Sequence, residues 1–220
     1  MIREGQLSVS RTARYALLGA RDGVVRDLWF VFHGYGQLAA RFLRGFEPLD
    51  DGSRLIVAAE GLSRFYLDTA ESGRHAQRVG ASWMTREGRE QEIEDYLGYL
   101  NSLHTHVLET LAALPARTVI LGFSQGVATA ARWATLGNAG AELLIAWGGM
   151  LPEEIGPETL RTKMVRFVSG TADTYLDQDA MRVQAAGLAA QGVRVEVSSF
   201  QGGHVIDAAT LLESASPVRW

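Results

Sequence analysis

Thr118-Val119-Ile120-Leu121-Gly122-Phe123-Ser124-Gln125-Gly126 is the stretch that decides the fold. Its first four residues form a short apolar run that reads as a buried strand, and residues 125–136 read as the helix that follows. Between them, a G-x-S-x-G pattern sets Ser124 on a tight strand-to-helix turn whose small neighbours let the chain reverse without clashes. Such a turn strains the serine backbone and projects its hydroxyl above the sheet edge. The N–H of Gln125, at the helix start, then points to where a tetrahedral oxyanion would form. Taken alone, the motif also fits a glycine-rich helix start in which the serine merely caps.

Strand-like and helix-like segments alternate on both sides of this stretch. Upstream, residues 27–32 (DLWFVF) and 54–59 (RLIVAA) are continuous apolar runs, the signature of strands buried on both faces. Residues 37–49 between them read as a helix with Leu38, Phe42 and Phe46 on one face. Residues 7–10 and 15–18 read as two short strands, an antiparallel pair at a sheet edge. Residues 60–90 lack periodicity, a length that is usually functional or locally structured. A long helical stripe then runs through Ile93, Leu97, Leu100, Val107, Leu111 and Leu114 to a stop at Pro115. Downstream, residues 143–147, 164–168 and 193–199 read as strands, and residues 179–191 and 206–212 as helices. The tail, residues 214–220, reads as a surface terminus. This alternation predicts an α/β fold: a mostly parallel central sheet with helices on both faces and working residues at the carboxyl ends of strands.

The chain has 220 residues, 47% hydrophobic and 21% charged, with a formal net charge of -4. That composition excludes disordered and fibrous architectures and suits a single domain over residues 1–220, since no repeat, linker or low-complexity tract interrupts it. All the basic residues except Lys163 are Arg, and they are scattered. Nucleic acid is therefore not an expected partner, because phosphates demand clustered cations. With no cysteine, thiolate and disulfide chemistry are excluded. No stretch approaches the roughly 20 apolar residues of a membrane helix. The apolar run at 15–20 is short and flanked by Arg14 and Arg21, so no secretory signal is read and the expected location is cytoplasmic.

His33-Gly34-Tyr35-Gly36 closes the DLWFVF strand. A glycine-rich loop there brings a second backbone N–H to the same oxyanion, with Tyr35 the first candidate donor and Gly36 the next. His33 reads as a brace for the loop. In a strand-serine-helix architecture the acid follows the serine and the base histidine follows the acid. His204, in Gly202-Gly203-His204 just past the 193–199 strand, fits the base. Asp173, in Gly170-Thr171-Ala172-Asp173 past the 164–168 strand, fits the acid that orients it, with Asp177 and Asp179 as fallbacks. Asp207 follows His204 and fits the order poorly. His75 reads as a surface residue. His104 and His106, two apart on one helix, point to different faces and so share no metal.

HGYG, GFSQG, GTAD and GGH, in that order over nearly the whole chain, resemble the phospholipase/carboxylesterase branch of the α/β-hydrolases, which includes acyl-protein thioesterases. The resemblance implies a compact serine esterase without a large cap domain, with Ser124, Asp173 and His204 as the triad and Tyr35 and Gln125 as oxyanion-hole amides. It implies no metal and no organic cofactor. Three positions depart from the family pattern: Gln37 stands where Asp is usual, Val127 where a second glycine is usual, and Thr174-Tyr175-Leu176 follow the acid in place of hydrophobic or proline residues. Phe65, Tyr66, Trp83, Met84 and Trp147, with Met150, are candidates to line an apolar pocket for an acyl chain. The partner implied is a small-molecule acyl ester or thioester. An acyltransferase on the same triad and a non-catalytic small-molecule-binding protein of the same fold are the rival readings. The oligomeric state is not legible.

Overall fold

The computed structural model describes residues 1–19, 24–67 and 78–216. Seven strands form one sheet in the order β1-β3-β2-β6-β7-β8-β9. They are β1 (Tyr15–Gly19), β2 (Asp27–Phe32), β3 (Arg54–Ala59), β6 (Arg117–Phe123), β7 (Leu143–Trp147), β8 (Met164–Gly170) and β9 (Arg194–Phe200). All neighbours are parallel except β1, which pairs antiparallel with β3. Every residue of β2, β7 and β8 is buried, as largely apolar runs are in strands covered on both faces, with Asp27, Arg166 and Ser169 the polar residues taken inside.

Period two along β2 divides the core. Leu28, Phe30 and Phe32 point into one layer, completed by Tyr96 and Leu100 of α2 (Arg89–Thr110), Trp133 of α3 (Gln125–Leu136) and Met181 of α4 (Gln178–Ala190). Trp29 and Val31 point into the other, completed by Phe42 of α1 (Ala39–Phe42), Phe46 and Leu211 of α5 (Ala208–Ser214). Helices therefore cover both faces. At the amino ends of the strands, buried Asp27 pairs with Arg117 at 2.8 Å, and Arg117 also donates to the Ala215 carbonyl. This ties the chain's last described segment to the end of the sheet opposite the glycine loops.

Four expectations change. Residues 7–10 form no strand, and β1 pairs with β3 instead of with them. The helix expected over 37–49 is one turn of α-helix followed by a tighter 3₁₀ segment, Leu43–Leu49. Pro48 has no N–H to give to an α-helical ladder there. The stripe on α2 ends at Thr110, with Leu111 already extended and Leu114 exposed. The chain must straighten there to enter β6, where Ala116 N–H bonds to the Arg26 carbonyl. The aperiodic stretch 60–90 contains a hairpin of β4 (Ser63–Tyr66) and β5 (Val79–Ser82), each too short to show a period. His75 and residues 217–220 of the tail lie outside the described residues. Among the described residues no helix is long and apolar enough to cross a membrane.

Candidate active site

Ser124 joins β6 to α3 with φ 54° and ψ -120°, and is the one non-glycine residue at positive φ among the described residues. A backbone held there costs of order 1–3 kcal/mol and persists only where its surroundings over-determine it. The flanking glycines show how. A Cβ on Gly122 would run into the backbone of Gly126 and Val127, and one on Gly126 into the Phe32 carbonyl. Ser124 N–H bonds to the Trp147 carbonyl at 2.9 Å, which fastens the turn to the end of β7. The serine is half-buried, at the carboxyl edge of the sheet.

Asp173 and His204 meet at the same edge, from the turns after β8 and β9. Asp173 Oδ2 lies 2.7 Å from His204 Nδ1, and the side chains are 1% and 16% exposed. A carboxylate only accepts, so Nδ1 carries the proton and Nε2 keeps its lone pair. The other carboxylate oxygen accepts the Tyr175 N–H at 2.9 Å. Asp177 instead caps α4 and Asp207 caps α5, accepting from Ala180 N–H and Thr210 N–H. Two rings pack near the imidazole, Phe123 at 4.7 Å and Tyr175 at 5.0 Å between centroids. Phe123, which touches the imidazole, immediately precedes Ser124 in the chain. No hydrogen bond joins Ser124 Oγ to His204 Nε2 in this conformation; such bonds often tighten only when substrate is bound.

The loop after β2 faces the same turn. The backbone of Gly34 lies so close that an added Cβ would stand 3.2 Å from Ser124 Cβ. Gly36 N–H is taken by the Ala81 carbonyl at 2.9 Å. Among the described residues nothing accepts from Tyr35 N–H or from Gln125 N–H. Gln37 accepts the Gly34 N–H at 2.8 Å through Oε1, so the glutamine holds the loop's turn through its own carbonyl oxygen. His33 is fully buried. Its Nδ1 bonds to the Gly34 carbonyl and its Nε2 accepts from Gly61 N–H. Burial holds it down to about pKa 4, against the opposing pull of the Gly34 bond. It is neutral near neutral pH, with both nitrogens committed to bracing.

No known protein-family model matches the chain, and no curated protein matches it by sequence. Solved structures match it in fold over most of its length. The carboxylesterase from Mesorhizobium loti superposes with a TM-score of 0.70 at 17% identity, over 91% of this chain and 93% of its own. Esterase PE8 gives 0.66 at 19%, over 92% and 99%. Acyl-protein thioesterase 2 of Zea mays gives 0.66 at 16%, over 92% and 99%. The fold is that of the α/β-hydrolases.

Within this α/β-hydrolase fold, the residues expected to line a pocket separate into two groups. Trp83 and Trp147 are 2% and 1% exposed, and both indole N–H groups are spent on backbone carbonyls. Trp83 Nε1 donates to the His33 carbonyl, and Trp147 Nε1 donates to the Val205 carbonyl, one residue past His204. Met84 is half-buried, its sulfur beside Arg132. Phe65 packs its ring on that of Tyr35 at 5.1 Å, and Tyr66 is exposed. His104 is buried against Phe30 and Trp133, whereas His106 bonds to the Tyr15 hydroxyl near the surface, so the two do point apart. A cavity of about 850 Å³ lies between residues 6–13, Leu62, Ser63 and the first half of α2, with Trp83 on its wall and Ser124 not among its lining residues. Among the described residues no cluster of three or more His, Asp or Glu is placed to hold a metal ion.

Two contributions escape a reading of motifs. The Gln125 side chain bonds to Ser82 Oγ, Met84 carbonyl and Trp83 N–H, clamping the segment after β5 onto the serine turn. Gly148, at φ 60°, lies directly under the acid–base pair: a Cβ there would stand 3.0 Å from His204 Cε1 and 3.4 Å from Asp173 Oδ2. The sequence does carry a signal for the second, a Gly148-Gly149 pair directly after an apolar strand. It carries none for the first.

Proposed function

We propose that the protein is a serine hydrolase of carboxylic esters or thioesters, with Ser124 as nucleophile, His204 as base and Asp173 as the group that orients it. The observation that carries the reading is the Asp173–His204 hydrogen bond beside a serine strained onto a strand-to-helix turn. His204 Nε2 takes the Ser124 proton as Oγ attacks the carbonyl carbon. Asp173 holds the tautomer and offsets the charge of the imidazolium that forms. The oxyanion is held by the Tyr35 and Gln125 amides, both without another acceptor among the described residues. Each such donor contributes about 2.7–4 kcal/mol to lowering the barrier in enzymes of this kind. The imidazolium then protonates the leaving alcohol or thiol, and water repeats the sequence on the acyl-enzyme. The likeness in fold to two carboxylesterases or esterases and an acyl-protein thioesterase supports the same reading. None of these steps draws on a metal or organic cofactor.

The test is fluorophosphonate labelling together with turnover of p-nitrophenyl butyrate. Wild-type protein should take the label on Ser124 and hydrolyse the ester; Ser124→Ala should do neither. Hydrolysis by Ser124→Ala at the wild-type rate would refute the assignment, and unlabelled wild type would favour a binding protein built on the same fold.

A further inference from the structure

Tyr175 lies two residues past Asp173; the residue is 83% exposed, yet its ring lies 5.0 Å from the imidazole of His204 between centroids. Its backbone is pinned, because Tyr175 N–H bonds to the same carboxylate that orients the imidazole. Its hydroxyl has no hydrogen-bond partner among the described residues. The ring is therefore placed by its backbone and by the imidazole, with one side left open to solvent. Burying a ring of this kind is favourable, a gain the free protein leaves largely unrealised at this position. Val205, the residue after His204, is also exposed, so the flank of the base is apolar as well as aromatic.

Sheet order says which half of a substrate meets this ring. Tyr35 follows β2, on one side of β6, and the Gln125 N–H adjoins Ser124 at the head of α3. Asp173 and His204 follow β8 and β9, beyond β7 on the other side. The carbonyl oxygen of a bound ester turns toward the amides. The leaving oxygen turns toward His204 Nε2, which must come within about 3 Å of it to deliver the proton. The atoms attached to that oxygen then lie over the imidazole's exposed flank, within reach of the Tyr175 ring.

We propose that Tyr175 is a specificity-determining residue for the leaving group, and that the preferred substrates are esters whose alcohol half carries a planar aromatic ring that stacks on it. The proposal rests on the hydrolase reading above and narrows its substrate class. Aromatic pairs add about 0.5–1.5 kcal/mol beyond burial, equivalent to roughly a 2- to 13-fold preference.

Benzyl butyrate and heptyl butyrate test this, since they share the acyl group and both release seven-carbon primary alcohols. Wild type should favour the benzyl ester in kcat/KM by about 3- to 10-fold. Tyr175→Phe should keep the preference, because the hydroxyl is unused, and Tyr175→Ala should bring the ratio near one. A ratio is read within one protein, so partial misfolding of a variant does not distort it. A wild-type ratio near one, or a ratio unchanged in Tyr175→Ala, overturns the proposal while labelling of Ser124 still upholds the hydrolase reading. Failure of wild type to label or to hydrolyse either ester overturns both.

Discussion

His33 and His204 stand at the carboxyl edge of the same sheet, one after β2 and one in the turn after β9, each beside the serine turn. Their surroundings divide them. His33 is fully buried and spends both nitrogens on backbone partners, Gly34 carbonyl and Gly61 N–H. His204 is part-exposed and spends only Nδ1, on a carboxylate. An imidazole with no free nitrogen cannot take a proton from a neighbour, whereas one fixed at Nδ1 by an acceptor presents Nε2 as a base. On the proposed reading, nearness to the serine does not suffice to make a histidine a base; a nitrogen left free of other partners is also needed.

The sharpest way to break this comparison is to replace each histidine. His204→Gln should lower kcat for p-nitrophenyl butyrate by about 10⁴- to 10⁶-fold, as loss of a triad member does elsewhere. His33→Gln should cost less than about tenfold where the protein remains folded by circular dichroism, because it moves no proton. Comparable losses in two folded variants would erase the distinction.

The next effect is on stability. An unfolded chain protonates His33 below its ordinary value of 6.5, and the folded chain only near 4. The folded state is thus fully favoured above pH 6.5, and that contribution is lost as pH falls toward 4. The shift corresponds to at most roughly 3 kcal/mol. Urea unfolding at a series of pH values should show this fall in wild type and a shallower one in His33→Gln. Equal slopes in the two proteins would mean that the imidazole at 33 carries a proton when folded.

The smallest effect concerns how His204 is kept in place. Trp147→Phe keeps an aromatic ring beside Phe200 but removes the bond to the Val205 carbonyl. Such a bond is worth about 0.5–1.5 kcal/mol. We expect kcat to fall a few-fold with KM unchanged, read in steady-state kinetics on p-nitrophenyl butyrate. A rise in KM at constant kcat would place Trp147 in substrate contact instead.

The triad candidates could be proposed from sequence because each sits in a local pattern, a glycine-containing turn at the end of a strand, and local patterns survive in a linear reading. The aromatic pocket candidates were less so. Trp83 and Trp147 look like Phe65 and Tyr66 in sequence, but only the structure shows the first two buried, Phe65 half-buried and Tyr66 exposed. The β4–β5 hairpin was missed because four-residue strands carry too little periodicity. Tyr175 appeared in sequence only as a departure from a family pattern; its contact with His204 joins residues on different turns.

From its sequence alone, this chain determined the alternation of strands and helices, the parallel sheet that follows from it, and the strained serine turn, since all of these depend on neighbours within a few positions. Tertiary structure alone decided which histidine keeps a free nitrogen, which aromatics are sealed in the core, and what stands beside the base. Those outcomes depend on partners tens of residues away, whose approach is set by how the strands are ordered across the sheet.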